Sequence, residues 1–190
     1  MKELSLYILD IAQNSLAAGA ARLAITLDEG EAWTVFTVED DGCGMDAALL
    51  AAVTDPFTTT RSTRPVGLGL PLLKEAAELT GGGLALESAP GAGTRVTARF
   101  GAGHIDCPPL GDMGGSLSLL IQGAPELELA YLHRREGRAL RFDTGQVRRA
   151  LGEGVSLAEP EVVLWCRDYL REQELLIAGH GDVRAEEDRG

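Results

Sequence analysis

Four short stretches of this 190-residue chain carry side chains that could do chemistry. In Asp10-Ile11-Ala12-Gln13-Asn14, a carboxylate and a carboxamide stand four residues apart, the spacing that stacks side chains on one helix face. Such oxygens suit a hydrated magnesium ion, which takes few protein ligands and fills its shell with water and phosphate. Alone, the pair reads as two polar residues on a solvated face. In Asp40-Asp41-Gly42-Cys43-Gly44-Met45, an acidic side chain sits where a β-rich run ends. There it can be held rigidly over a pocket and accept from an exocyclic amine, while the two glycines let the backbone turn tightly against a flat ligand. An ordinary glycine-rich turn is the competing reading.

The third stretch, Gly67-Leu68-Gly69-Leu70, opens a helical run. Backbone N–H groups at such a start attract anions, phosphate among them. It is neither a P-loop, since no Gly-Lys-Ser/Thr follows, nor a dinucleotide fingerprint, since no strand leads directly into it. The fourth, Gly91-Ala92-Gly93-Thr94, is a hairpin turn that places a hydroxyl at the start of a strand.

The elements that must position these stretches are legible in the spacing of apolar residues. Leu6, Leu9, Ala12 and Leu16 predict a helix over residues 3–18, with Gly19 as its left-handed cap. Residues 23–27 and 33–38 predict a hairpin around Asp28-Glu29-Gly30. A short helix capped by Asp46 runs to Val53, a polar loop covers 54–66, and a helix spans 68–79. Strands at 84–88 and 95–100 complete an order α-β-β-α-loop-α-β-β, an α+β two-layer sandwich rather than alternating βαβ units. The chain therefore divides into a unit at 1–100, a glycine- and proline-containing linker at 101–115, a small α/β unit at 116–180 and a charged tail at 181–190. In the second unit, an apolar segment at 117–121 precedes a hairpin at 127–132 and 138–142, then helices at 144–151 and 161–177. Leu164, Trp165 and Tyr169 are expected in its core, and His133 on a strand surface.

Composition narrows the function classes. Hydrophobic residues make up 45% and charged residues 24%, ordinary for a globular chain. The formal charge of −12 repels phosphodiester backbones and anionic lipid, so neither nucleic acid nor membrane is an expected partner. Cys43, Cys107 and Cys166 are widely spaced, with no CxxC pair, which argues against a zinc, iron–sulfur or disulfide framework. No apolar run approaches a membrane span and the start does not read as a signal peptide, so the expected location is cytoplasmic.

Taken together and in order, the four stretches resemble the GHKL superfamily of ATP-binding proteins: gyrase, the heat-shock-90 chaperones, histidine kinases and MutL. Residues 1–100 carry the resemblance. LDIAQNSLAAGA and VEDDGCGM look most like the MutL and gyrase side; DPFTTTR and VGLGLPLLKEAAELTGGGLALESAPGAGTRVTARF look like a sensor histidine kinase. The resemblance implies the sandwich fold of that superfamily (the Bergerat type), ATP and Mg as cofactors, and a role for each matched position. Asn14 binds magnesium; Asp40 accepts from the adenine amino group, with Gly42 and Gly44 shaping the turn and Met45 lining the base. Gly67, Gly69 and Leu70 bring amides to the phosphates, Thr94 supports the adenine site, Phe57 anchors the lid, and Arg61 and Lys74 lie near enough in sequence to reach phosphates, a solvated cation being the competing reading of each. Asp10 takes the catalytic position where the family commonly has Glu. General-base assistance is worth about 10²–10⁴-fold, so a carboxylate one methylene shorter, under a short lid, implies slow turnover.

Because the Asn-bearing helix begins within ten residues of Met1, no phosphoacceptor helix is expected before it. The expected function is a soluble, histidine-kinase-like regulator that binds ATP and magnesium and acts as a stand-alone kinase on a partner protein in trans, as anti-sigma kinases of this fold do. Two alternatives are a nucleotide-dependent protein-binding switch and a slow MutL-like ATPase. The whole chain also resembles short bacterial histidine-kinase-like ATP-binding proteins found beside subunits of NADH-linked hydrogenases, which implies a redox enzyme as partner. Several GHKL relatives dimerise, which implies a homodimer.

Overall fold

The computed structural model describes residues 3–53, 69–152 and 154–179. Among these, α1 (Leu4–Ala17) is followed by the strands β1 (Arg22–Glu29) and β2 (Trp33–Asp40), and then by α2 (Ala47–Ala52) and α3 (Gly69–Leu79). Strands β3 (Gly83–Ser88) and β4 (Thr94–Gly101) come next, then α4 (Met113–Gly123), β5 (Glu128–Arg135), β6 (Arg138–Asp143), α5 (Thr144–Leu151) and α6 (Pro160–Ile177).

Helix α1 forms because its apolar residues recur at helical spacing: Leu4, Tyr7, Ile8, Ile11, Ala12 and Ser15 are buried on one face. Gly19, at φ +78°, turns the chain out of it, and Ala20 donates back to the Ser15 carbonyl. Alternation sets the strands. In β2, Thr34, Phe36 and Val38 are buried between more exposed neighbours, and in β4 Val96, Ala98 and Phe100 do the same. Phe36 and Phe100 stack with their ring centres 6.1 Å apart. Helices α3, α1, α4 and α6 lie side by side in that order, each touching the next, and α3, α1 and α6 also pack on strands. This is the α+β two-layer arrangement expected from the first hundred residues.

The six strands form one sheet in the order β3-β4-β2-β1-β5-β6. All neighbours are antiparallel except β1 and β5, which run parallel. The sheet therefore does not stop at residues 101–115. The free edge of β1 would expose a row of unpaired N–H and C=O groups, and β5 takes it up. The apolar segment 117–121 lies within α4, whose first turn Asp112 caps by accepting from the Gly115 N–H at 2.8 Å.

Two expectations about side chains are corrected. Leu164 and Trp165 are about half exposed, because α6 turns Val162, Val163, Cys166, Leu170 and Ile177 inward instead. Trp165 stacks on the half-buried Tyr169, ring centres 5.2 Å apart, and Tyr169 leans on Phe142. His133 is only 1% exposed. Its Nδ1 lies 2.7 Å from Glu174 Oε2 and its Nε2 lies 2.8 Å from Glu29 Oε1. Burial favours a neutral ring, but the two carboxylates outweigh it and raise the pKa to about 9. Tyr131 donates to the other oxygen of Glu174 at 2.7 Å, so one polar cluster ties α6 to β1 and β5.

Candidate functional site

The sheet delivers the site as one rung. Asp40 closes β2 and pairs with Thr94 at the start of β4, which pairs on its other side with Ser88 at the end of β3. All three share the side-chain parity of the buried Val38 and Val96 and of Leu86, which packs against the core, so they face the helix layer. Above this rung lies a cavity of about 230 Å³. Its wall is α1 (Ile11, Asn14 and Ser15), its floor is Asp40, Thr94 and Val96, and it is closed by Gly44, Met45, Leu49, Val53 and Leu70. The lining is chiefly apolar with a few convergent polar groups, as in small-molecule sites.

The carboxylate of Asp40 is held from three directions. Its Oδ1 accepts from the backbone N–H of Gly42 at 2.9 Å and of Thr94 at 3.2 Å. Its Oδ2 lies 2.5 Å from the hydroxyl of Ser15, which is 3% exposed. Asp41 plays a different part. It accepts from the N–H groups of Ala21 and Arg22, both at 2.8 Å, and from Arg22 Nε at 3.0 Å. The Arg22 backbone N–H, foremost, holds its carboxyl below the usual range. The two adjacent acids thus divide the work: Asp41 anchors the start of β1, and Asp40 faces the cavity.

The glycines permit backbone to meet backbone. Gly44 has φ +65°, and a Cβ there would lie 1.9 Å from the Ala89 carbonyl oxygen. Gly93 has φ +79°, and its Cβ would lie 1.9 Å from the Asp40 carbonyl oxygen. The loop after β2 is thereby pressed onto the β3–β4 turn, with Gly91 N–H donating to the Cys43 carbonyl at 2.8 Å. Gly42 is tight rather than impossible for a side chain, its nearest neighbour being Asp40 Oδ1 at 3.0 Å from a would-be Cβ.

Of the positions singled out from sequence, the structure brings Asn14, Asp40, Gly44, Met45, Leu70 and Thr94 to one cavity. Gly42 braces Asp40 from behind. Asp10 lies one turn before Asn14 on α1, beside the start of α3, where a Cβ on Gly69 would be 3.5 Å from its carboxylate. Lys74 is half-buried on α3. Phe57, Arg61 and Gly67 lie outside the described residues. Ser15, Ser88, Leu49 and Val53 were not anticipated. For Ser15 the signal was its place on the buried stripe of α1, four residues after Ile11; for Ser88, its parity with Leu84 and Leu86.

For a divalent cation, the donor chemistry fits. Asn14 is exposed and lines the cavity, and Asp10 offers hard oxygen on the same helix face. No group of three metal-ligating side chains occurs among the described residues, and an ion shared with phosphates does not need one.

Comparisons with known proteins agree with this frame. Sensor protein TorS of Escherichia coli is 42% identical over 73 residues, covering 38% of this chain and 8% of that protein. Signal transduction histidine-protein kinase AtoS of the same organism is 33% identical over 93 residues, covering 47% of this chain and 15% of that one. The chain thus spans a small fraction of the length of these relatives. A solved structure, the N-terminal domain of a DNA repair protein, superposes with a TM-score of 0.51 at 13% identity, covering 74% of this chain and 52% of that one, a likeness of fold. Residues 2–103, more than half the chain, match the profile of one family, and the chain belongs to it: the histidine kinase-, DNA gyrase B-, and HSP90-like ATPases.

Proposed function

We propose that this protein is a histidine-kinase-like regulator that binds ATP with magnesium and acts on a partner protein in trans. The observation that supports the reading best is the cavity itself. Four separated stretches of sequence converge on it, with a carboxylate fixed at its floor and a carboxamide on its wall. In this reading Asp40 accepts from the adenine amino group, Met45 lines the base, and Thr94 supports the adenine site. Asn14 holds the magnesium, which screens the charge of the phosphates when bound. Gly67, Gly69 and Leu70 bring backbone amides to the phosphates. Asp10 stands where it could orient an attacking group.

We take residues 1–100 as the nucleotide-binding unit and the region 116–180, beyond the 101–115 connection, as the part that selects the partner. Transfer to this chain's own His133 is disfavoured, because both ring nitrogens are engaged and buried. A partner side chain is the natural acceptor, and a redox enzyme is the partner we would try first. Titration calorimetry with ATP and magnesium tests the site: heat with a one-to-one end point is expected, and no heat with either ATP or ADP overturns it. A pull-down with and without ATP, followed by phosphate mapping of the captured protein, tests the transfer. A labelled partner supports the kinase; retention without label supports a nucleotide-gated binding switch; rapid ATP consumption by the chain alone supports a MutL-like hydrolase.

A further inference from the structure

Ser88 lies outside the four stretches singled out for their chemistry, yet its hydroxyl is at the centre of the contacts behind the cavity. The Met45 N–H lies 2.9 Å from Ser88 Oγ, the Gly93 carbonyl 2.8 Å and Thr94 Oγ1 3.0 Å. A hydroxyl has one proton and two lone pairs. The Gly93 carbonyl can only accept, so the Ser88 proton goes there. The Met45 N–H can only donate, so it takes one lone pair. Thr94 is left to donate into the other. Its proton therefore points toward Ser88, and its own lone pairs remain for the cavity that it lines. The neighbouring group on the same rung, the Asp40 carboxylate, is also an acceptor.

We propose that Ser88 is a specificity-determining residue. By fixing the direction of the Thr94 hydroxyl it leaves two acceptors, Thr94 Oγ1 and the Asp40 carboxylate, for the two hydrogens of an exocyclic amino group, and no donor there for a keto oxygen in its place. The proposal rests on reading the cavity as a nucleotide site. Without Ser88 the Thr94 hydroxyl is free to rotate and donate to a keto oxygen, so rejection weakens.

The test compares magnesium-ATP with magnesium-ITP by calorimetry on the full chain. Wild-type protein should prefer ATP, and Ser88→Ala should cut that preference roughly five- to tenfold, the scale of one hydrogen bond gained or lost. Ser88→Thr, which restores the hydroxyl, should recover it. A merely structural defect would weaken both nucleotides in proportion and leave their ratio unchanged. An unchanged ratio in S88A therefore overturns the role of Ser88, whereas wild-type protein that takes up neither nucleotide overturns the reading of the site. Should S88A fail to fold, Thr94→Val removes the hydroxyl itself and must narrow the preference as much; an unaltered ratio there is equally fatal.

Discussion

Replacing Asp40 by Asn separates recognition from folding, because the surrounding hydrogen bonds can absorb the change. The amide oxygen would accept from the Gly42 and Thr94 N–H groups as the carboxylate does, at 2.9 and 3.2 Å. The new NH₂ would then face Ser15 Oγ, which sits 2.5 Å from Asp40 Oδ2. Ser15 can accept that hydrogen bond, because its own proton has another acceptor, the Ile11 carbonyl at 3.2 Å. No buried polar atom is stranded, so the cost to folding should stay near 1 kcal/mol and the melting temperature within about 4 °C of wild type. The ligand is affected differently. A carboxylate accepting from the adenine amino group forms a charge-assisted bond of about 1.5–3 kcal/mol, and the variant instead turns N–H toward N–H. The expected loss of ATP affinity is roughly 10- to 150-fold. ITP, with a keto oxygen at that position, should lose much less, so the preference between the two should narrow or invert. Calorimetry with both nucleotides, alongside a thermal melt, reads all three quantities. A folded D40N protein that binds ATP within threefold of wild type, with its preference unmoved, would refute the assignment of this carboxylate.

Asn14→Ala should weaken ATP binding in the presence of magnesium and have little effect with EDTA; equal loss in both conditions rejects the ligand role. Gly44→Ala should destabilise the protein by roughly 2 kcal/mol or more, measured by urea unfolding, since its Cβ would lie 1.9 Å from the Ala89 carbonyl oxygen at φ +65°; a change below half that value would mean the loop yields easily. The His133 cluster predicts a pH dependence of its own. A folded pKa raised from 6.5 to about 9 gives stability that is complete below about pH 6.5 and lost as pH climbs through 9. Glu29, lowered chiefly by its hydrogen bond to His133, gives stability complete above about pH 4.5 and lost on acidification. Urea unfolding should show on the order of 2 kcal/mol less stability at pH 9.5 than at pH 6, after allowance for solvent screening, and His133→Gln should flatten that slope. An identical slope in the variant would assign the effect elsewhere.

What sequence alone determines here is local. The helical spacing of Ile8, Ile11 and Ala12, the alternation in Phe36 and Val38, the turn glycines and the Asp46 cap each depend on neighbours within a few residues, and their elements fall where that chemistry puts them. Asp40, Asn14 and Thr94 are legible as candidates, and line one cavity, because each sits at the end of an element or on a defined face. Tertiary structure decided which faces met. Trp165 lies on the outer side of α6 because Cys166 and Leu170 face inward, a choice that helical spacing leaves open when apolar residues occur on both sides. His133 is buried because Glu29 and Glu174, 104 and 41 residues away, arrive to hold its two nitrogens. Ser88 matters because sheet register sets it beside Thr94, while Met45 reaches it from another loop. Register and long-range pairing depend on which strand edges and helix faces find each other, and that free energy is shared across the whole sheet rather than written in any one stretch.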